Sequence, residues 1–198
     1  MSILIYGDHR SGNCLKVRWV CERLGLPFRW IEVDVTAGET RTPSFLAMNP
    51  AGQVPAVELE DGRILAQSNG IMLHLAERAG AAGLIPEDPY ARAKMYEWLF
   101  WEQYSHETAI AVARFQLAYL NKPRESLDPR LFERGEAALG RMEQALATAD
   151  WLVGDGLTLA DVALVAYTRV AHEGGFDLAG YPAVKAWVAR VERELGIG

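Results

Sequence analysis

Three short stretches of this chain carry side chains that could handle a thiol or a carboxylate. The first is Ser11-Gly12-Asn13-Cys14, where a strand pattern gives way to a helical one. Helix N-termini present unpaired N–H groups and a partial positive charge, so they favour anions, thiolates included. A dithiol redox site would place Cys-x-x-Cys at this junction. Here the first of those positions is serine, so a dithiol cycle is excluded. What remains is a hydroxyl that can donate one hydrogen bond to a sulfur belonging to another molecule. A free thiol titrates near about 8.5, and one pKa unit equals about 1.4 kcal/mol. A hydrogen bond to a charged group contributes roughly 1.5–3 kcal/mol, and a helix N-terminus up to about 2 kcal/mol. Together they could leave a bound thiol largely ionised at neutral pH. An equally good account of Ser11, on spacing alone, is an ordinary N-cap.

The second stretch is Gln53-Val54-Pro55-Ala56. A proline cannot donate to a strand ladder, so its place just before a strand needs a reason. It is either the strand's first residue or a cis peptide that turns the Val54 N–H and C=O toward an extended ligand; cis bonds are a minority of X-Pro bonds. The third is Gln67-Ser68, ahead of another helical pattern. Ser68 offers a hydroxyl and a backbone N–H at a helix N-terminus, which suits a carboxylate or a plain cap. Paired carboxylates, metal-ligand clusters, Gly-rich phosphate loops and Ser-His-Asp arrangements do not stand out.

These stretches must be held by elements, and the pattern supplies them. Ile3–Tyr6 reads as a buried strand ending at Gly7. Cys14, Val17, Val20, Cys21 and Leu24 recur at helical spacing, and Gly25 stops that helix. Residues 28–33 read as a strand and Ser44–Met48 as a short helix. Asp61-Gly62 between two apolar runs, 52–60 and 63–67, is a strong hairpin signal. Ser68 then caps a helix through Ile71, Met72 and Leu75. A β-α-β-α-β-β-α order, with parallel strands joined by a crossover helix and an antiparallel hairpin, describes a thioredoxin-like domain.

Beyond it everything is helical: one long aromatic-rich helix over Tyr90–Tyr119, another near Asp128–Ala147, and a last one opening at Pro182. Between them Thr158-Leu159-Ala160-Asp161 resembles a capping box heading a uniformly apolar helix. The division expected is residues 1–79 for the thioredoxin-like domain, 80–89 for a linker, and 90–198 for an all-helical domain.

A chain of 198 residues, half of them hydrophobic and 23% charged, can bury a core in either domain. The formal charge of -6 argues against a nucleic-acid surface. Met1-Ser2-Ile3 begins a strand at once, without a signal-peptide pattern, and no run approaches a membrane span. The two cysteines lie seven apart on one helix, about 10 Å by helical rise. A disulfide needs less than about 7 Å, so they cannot pair, and a reducing cytoplasm is the expected setting.

In this order on this frame, Ser-x-Asn after the first strand, Val-Pro, Gln-Ser heading a helix and a late Thr-x-x-Asp box resemble the cytosolic glutathione S-transferase superfamily. The resemblance runs the length of the chain and is closest to bacterial serine-type members. It implies glutathione as co-substrate, with Ser11 hydrogen-bonding its sulfur and Asn13 as a second donor. It implies that Val54, ahead of a cis Pro55, pairs with the cysteinyl unit, and that Gln67 and Ser68 hold the γ-glutamyl group. Gln53 and Arg41 would face the glycine carboxylate. A hydrophobic electrophile would sit in a cleft between the domains, near Arg10, Trp101, Tyr104 and Ile110. No metal is implied. A homodimer is, with the helix at Ser68 and the Tyr90–Tyr119 helix at its interface, and the Thr158–Asp161 box would serve folding.

The likeness has departures. No tyrosine stands where tyrosine-type members keep their thiol-activating phenol, since Tyr6 lies inside the first strand. A thiol-transferring reading would need Cys14, which lies on the apolar stripe with Val17 and Cys21 and reads as structural. Rival functions are a glutathione-dependent disulfide reductase or peroxidase, in which bound glutathione itself attacks, and a non-catalytic binding or regulatory protein. His106 reads as packing or surface, and His9 is close to Ser11 in sequence only.

Overall fold

The computed structural model describes residues 2–198, which divide into two compact units, one ending at Ala82 and the other beginning at Gly83. The boundary falls inside the Gly- and Pro-bearing stretch 79–89.

The first unit is built on a four-stranded sheet in the order β2-β1-β3-β4. Strand β1 (Ile3–Gly7) is parallel to β2 (Phe28–Glu32), and α1 (Gly12–Arg23) supplies the crossover that a parallel pair requires. Strand β3 (Ala56–Glu58) runs antiparallel to β1, and β4 (Ile64–Ala66) antiparallel to β3. Asp61-Gly62 makes the turn as expected, with Gly62 N–H bonded to Leu59 O at 2.9 Å and Gly62 at φ +82°. Both hairpin strands are shorter than their apolar runs. Val54-Pro55 is cis and lies outside the ladder, so β3 starts only at Ala56.

Helix α2 (Pro43–Met48) is capped by the Thr42 hydroxyl, which accepts from Phe45 N–H. Helix α3 (Ser68–Arg78) packs on α1. Their facing stripes, Cys14, Val17, Val20 and Cys21 from α1 and Ile71, Met72 and Leu75 from α3, are fully buried with Ile3 and Ile5 of β1. Each large side chain so buried contributes roughly 1.5–3 kcal/mol.

The second unit is helical throughout: α4 (Pro89–Trp101), α5 (Glu107–Arg114), α6 (Pro129–Leu146), α7 (Leu159–Thr168) and α8 (Pro182–Leu195). The expected Tyr90–Tyr119 helix is continuous but not uniform. π-Helical turns at Glu102–His106 and Phe115–Tyr119 interrupt its α-helical hydrogen bonding, something periodicity cannot show. Every residue of α7 is buried. Phe176 lies so close over Gly135 of α6 that any β-carbon there would collide with its ring. Phe176 is itself part of a core with Ile110, Leu131, Leu139 and Tyr167.

The start of α7 shows how a helix N-terminus is closed. Asp161 Oδ2 accepts from Thr158 N–H and from the Thr158 hydroxyl, both at 2.9 Å. Oδ1 accepts from Leu152 N–H at 3.1 Å and from Trp187 Nε1–H at 2.9 Å. Burial pushes the Asp161 carboxyl up, against the pull of those four hydrogen bonds.

Candidate active site

The β1–α1 junction is tightly tied. Asp8, buried, accepts from Arg10 N–H at 2.8 Å and from the Arg10 guanidinium at 3.2 and 3.1 Å, while Ser11 N–H donates to Asp8 O at 2.9 Å. This delivers Ser11 in extended backbone (φ -76°, ψ 119°) as the N-cap of α1, with its carbonyl already accepting from Leu15 N–H at 2.9 Å. Its hydroxyl does not cap the helix. It stands near the Cys14 thiol one turn on and eases that thiol's ionisation against the burial that pushes it up. The plain-cap account of Ser11 is therefore set aside: a hydroxyl and the first-turn N–H groups of a 12-residue helix sit together without closing on each other.

Asn13 lies two residues later. Its Oδ1 accepts from Lys16 Nζ at 2.7 Å and from Ser68 Oγ at 2.9 Å. The second bond spans 55 positions of sequence and ties the start of α1 to the start of α3. It brings Ser68, which the sequence places far away, to Asn13 near Ser11.

At α3 the expectation needs one correction. Gln67, not Ser68, is the N-cap, and Ser68 is the first helical residue. Gln67 makes no side-chain cap and stands at φ +70°, ψ 110°, a region that non-glycine residues avoid. Such strain is kept where a site demands it. The ladder brings Gln67 beside the Val-Pro segment, because Ala66 pairs with Ala56 immediately after Pro55. Val54 main-chain groups lie outside the ladder, at the mouth of the same hairpin.

Two further positions flank this edge. Asn49, buried, donates from Nδ2 to Gln53 O at 2.7 Å and accepts from Ala51 N–H at 3.2 Å, so it shapes the turn that presents Gln53. Arg41 reaches Ala51 O at 3.4 Å and lies against Gly52, whose φ of +60° and missing β-carbon admit the guanidinium. Neither Asn49 nor Lys16 is singled out by sequence. An Asn after a short helix and a Lys within an amphipathic one look like solvated surface, and only their burial shows otherwise.

The residues expected to meet a second substrate fare unevenly. Ile110 is a correction: it is fully buried in the helical core and has no surface to offer. Trp101 packs edge-on against Trp98 at 5.1 Å between ring centres, with the Arg141 guanidinium over both rings. Tyr104 is 83% exposed. Arg10 is held by Asp8 as described. His106 is buried and bonded through Nε2 to Thr168 at 2.9 Å, so it belongs to packing and not to the surface.

Cys14 and Cys21 are free and buried, and burial pushes each thiol up to about 12. Asp8, His9 and Glu32 bring three potential metal-ligating atoms within 4.8 Å of one another. Their lone pairs are already engaged: Asp8 by Arg10, and Glu32 by His9 at 2.7 Å and Trp30 Nε1–H at 2.6 Å.

Comparisons with known proteins bear on the fold and the family. The glutathione S-transferase N-terminal domain family matches residues 10–78, and its C-terminal domain family matches residues 99–194. Glutathione S-transferase 3 of Zea mays is 32% identical over 192 residues, covering 92% of this chain and 86% of the maize protein. The crystal structure of a glutathione S-transferase from Pseudomonas fluorescens superposes with a TM-score of 0.92 at 46% identity, over 97% of this chain and 95% of that one. Ure2p in complex with glutathione superposes with a TM-score of 0.89 at 26% identity, over 98% and 96%.

Proposed function

The chain belongs to the glutathione S-transferase family, and on that premise we propose that it conjugates the glutathione thiolate to hydrophobic electrophiles. The observation that carries this reading is the Ser11 hydroxyl, held at the N-terminus of α1 and not consumed in capping it. Glutathione lies along the first unit. Its γ-glutamyl end meets Gln67 and Ser68, its cysteinyl backbone pairs with Val54 beside cis Pro55, and its glycine carboxylate faces Gln53 and Arg41.

The bound thiol loses its proton to solvent, because Ser11 and the positive end of α1 hold the anion, with Asn13 Nδ2–H as a second donor. A sulfur lone pair then forms the bond to an electrophilic carbon, and the leaving group departs with the electrons of the bond that breaks. The protein contributes position and fixed dipoles. No protein cysteine enters the step. Burial pushes the Cys14 thiol up to about 12, so it stays protonated at neutral pH.

The same reading includes a cytoplasmic setting, supported by two free cysteines, and a homodimer, supported by Tyr90 and Phe100 standing about three-quarters exposed on α4. The glutathione complexes known for relatives such as Ure2p support the choice of thiol.

The test is calorimetric titration with glutathione alongside conjugation of an aryl halide, for the natural chain and for Ser11→Ala. Expected are binding in both proteins and a large loss of turnover in the variant. Equal turnover would remove Ser11 from the mechanism, and absence of binding in the natural chain would sink the whole reading.

A further inference from the structure

The strand end that precedes Asp8 is fixed. Gly7 O accepts from Val33 N–H at 3.0 Å, and a β-carbon on Gly7 would stand 2.9 Å from the Trp30 ring and 3.0 Å from Cys14. From there the chain reaches α1 through a loop whose successive N–H groups are all placed on acceptors. That of His9 goes to Glu32 Oε1 at 3.1 Å, that of Arg10 to Asp8 Oδ1 at 2.8 Å, and that of Ser11 to Asp8 O at 2.9 Å. Asp8 thus accepts from both Arg10 and Ser11, once with its side chain and once with its main chain, and those two bonds set the path into the helix. An aspartate oxygen turned onto the N–H two residues on is a means of folding a tight turn. The Arg10 guanidinium grips the same carboxylate at 3.2 and 3.1 Å, which fixes its plane and keeps Oδ1 over the Arg10 N–H.

The charge of Asp8 needs its own account, because it works against the anion that this end of α1 serves. Asp8 is 1% exposed, and a buried carboxylate is costly. Burial is the main reason the Cys14 thiol is pushed up, and the Asp8 charge adds to that rise. A thiolate at Ser11, one turn earlier, lies in the same field. The carboxylate is therefore kept for the turn it holds, and its charge for the guanidinium that holds it flat. We propose that Asp8 is a positioning residue for conjugation: it fixes the turn that carries the Ser11 hydroxyl to the glutathione sulfur. The inference deepens the glutathione reading above and rests on it.

The experiment compares Asp8→Asn with Asp8→Ala in the complete protein mixed with glutathione. It reads the ultraviolet absorbance of the bound thiolate against pH, and the turnover of an aryl halide. Both protein thiols are pushed up to about 12, so a thiolate signal near neutrality belongs to glutathione. Asp8→Asn keeps an oxygen for the Arg10 N–H and removes the charge. Its turnover should fall by no more than about threefold, and its bound thiol should titrate no higher than in the natural chain. Asp8→Ala removes charge and oxygen together and frees the turn. Its bound thiol should titrate about one pH unit above that of the Asn variant, a tenfold change in ionisation. Turnover should fall about thirtyfold, short of the roughly 100-fold for losing an anion's donor outright. Glutathione affinity should stay within about threefold in both, because the Ser11 hydroxyl acts on the anion and not on docking.

Asp8→Ser, whose shorter hydroxyl accepts from the N–H two residues on more weakly, serves if Asp8→Ala does not fold, and should fall between the other two. With Ser11→Ala already in place, Asp8→Ala should lower turnover by no more than about twofold further, since it acts through that hydroxyl. Losses that multiply in the double variant would overturn the proposal. A purely structural Asp8 would lower the unfolding midpoint and leave the bound thiol titrating alike in the Asn and Ala variants. That result would remove the Asp8 role alone. If no thiolate forms in the unaltered protein, the glutathione reading falls and this inference falls with it.

Discussion

The helices α7 and α1 begin alike, each behind a hydroxyl residue in extended backbone, Thr158 at φ -121° and Ser11 at φ -76°. They are finished in opposite ways. At α7 the Thr158 hydroxyl and N–H both go to Asp161, whose other oxygen collects Leu152 N–H and Trp187 Nε1–H. That terminus is sealed within the helical unit and fully buried. At α1 the hydroxyl stands near the Cys14 thiol and caps nothing, and at α3 Gln67 holds a strained backbone with no side-chain cap. Orphan N–H groups at a helix start are either satisfied by the chain or kept for something that arrives later. A helix N-terminus closed by its own side chains reports stability, and one left open reports binding.

The largest expected effect lies at the sealed end. Asp161→Ala leaves four donors without their acceptor in a buried site, at about 1 kcal/mol or more each for those that find no water. Loss of about 3 kcal/mol or more of stability, or failure to fold, is the expected outcome in chemical denaturation. Asp161→Asn should recover little, because its amide sets an N–H against the Thr158 donors. A variant of near-normal stability would show that the box closes nothing of consequence.

Ser11→Ala inverts that pattern. An N-cap serine normally contributes about 1 kcal/mol through its side chain. Here it does not cap, so the unfolding midpoint should barely move. Turnover should fall about 100-fold, the size seen when one donor to a developing or stored anion is removed. A stability loss equal to that of a true cap, with turnover intact, would erase the distinction between the two helix starts.

How far the sequence alone reaches follows the same divide. Local chemistry was legible: Asp61-Gly62 marked the hairpin, Thr158-x-x-Asp161 the sealed helix, and Ser11 and Gln67-Ser68 the starts of α1 and α3. What long-range packing decides was not. Leu152 and Trp187 join Asp161 only in the folded chain, and Lys16 goes under with a charge that helical periodicity would assign to solvent. Ile110 went astray for the converse reason. Its place on an aromatic-rich helix suggested a lining residue, while the fold turned it into the core of Ala109, Ala113 and Leu131. The π-helical turns flanking α5 are likewise invisible in an apolar pattern that fits either helix type.

Gln67→Gly is a sharper test, with a smaller effect. Glycine adopts positive φ without a steric penalty, which offsets its larger entropy loss on folding. Stability should hold or rise by a few tenths of a kcal/mol up to about 1. Glutathione affinity should fall about tenfold, since the carboxamide offered to the γ-glutamyl group is gone. Better binding in the glycine variant would mean that the strain at Gln67 serves something other than the ligand.

The smallest effect on turnover is expected at Cys14, which shares the open end of α1 with Ser11. Its thiol is buried, pushed up to about 12 by loss of solvent, and lies within 3.0 Å of where a β-carbon on Gly7 would stand. A thiol so placed packs and does not react. Cys14→Ala should cost roughly 1–2 kcal/mol of stability for the space it vacates, yet keep turnover within about twofold. Alkylating reagents should leave the natural chain active for as long as it stays folded. Abolished turnover in a folded Cys14→Ala protein would move the reactive sulfur from the ligand to the chain, and the open start of α1 would then exist to activate the protein's own cysteine.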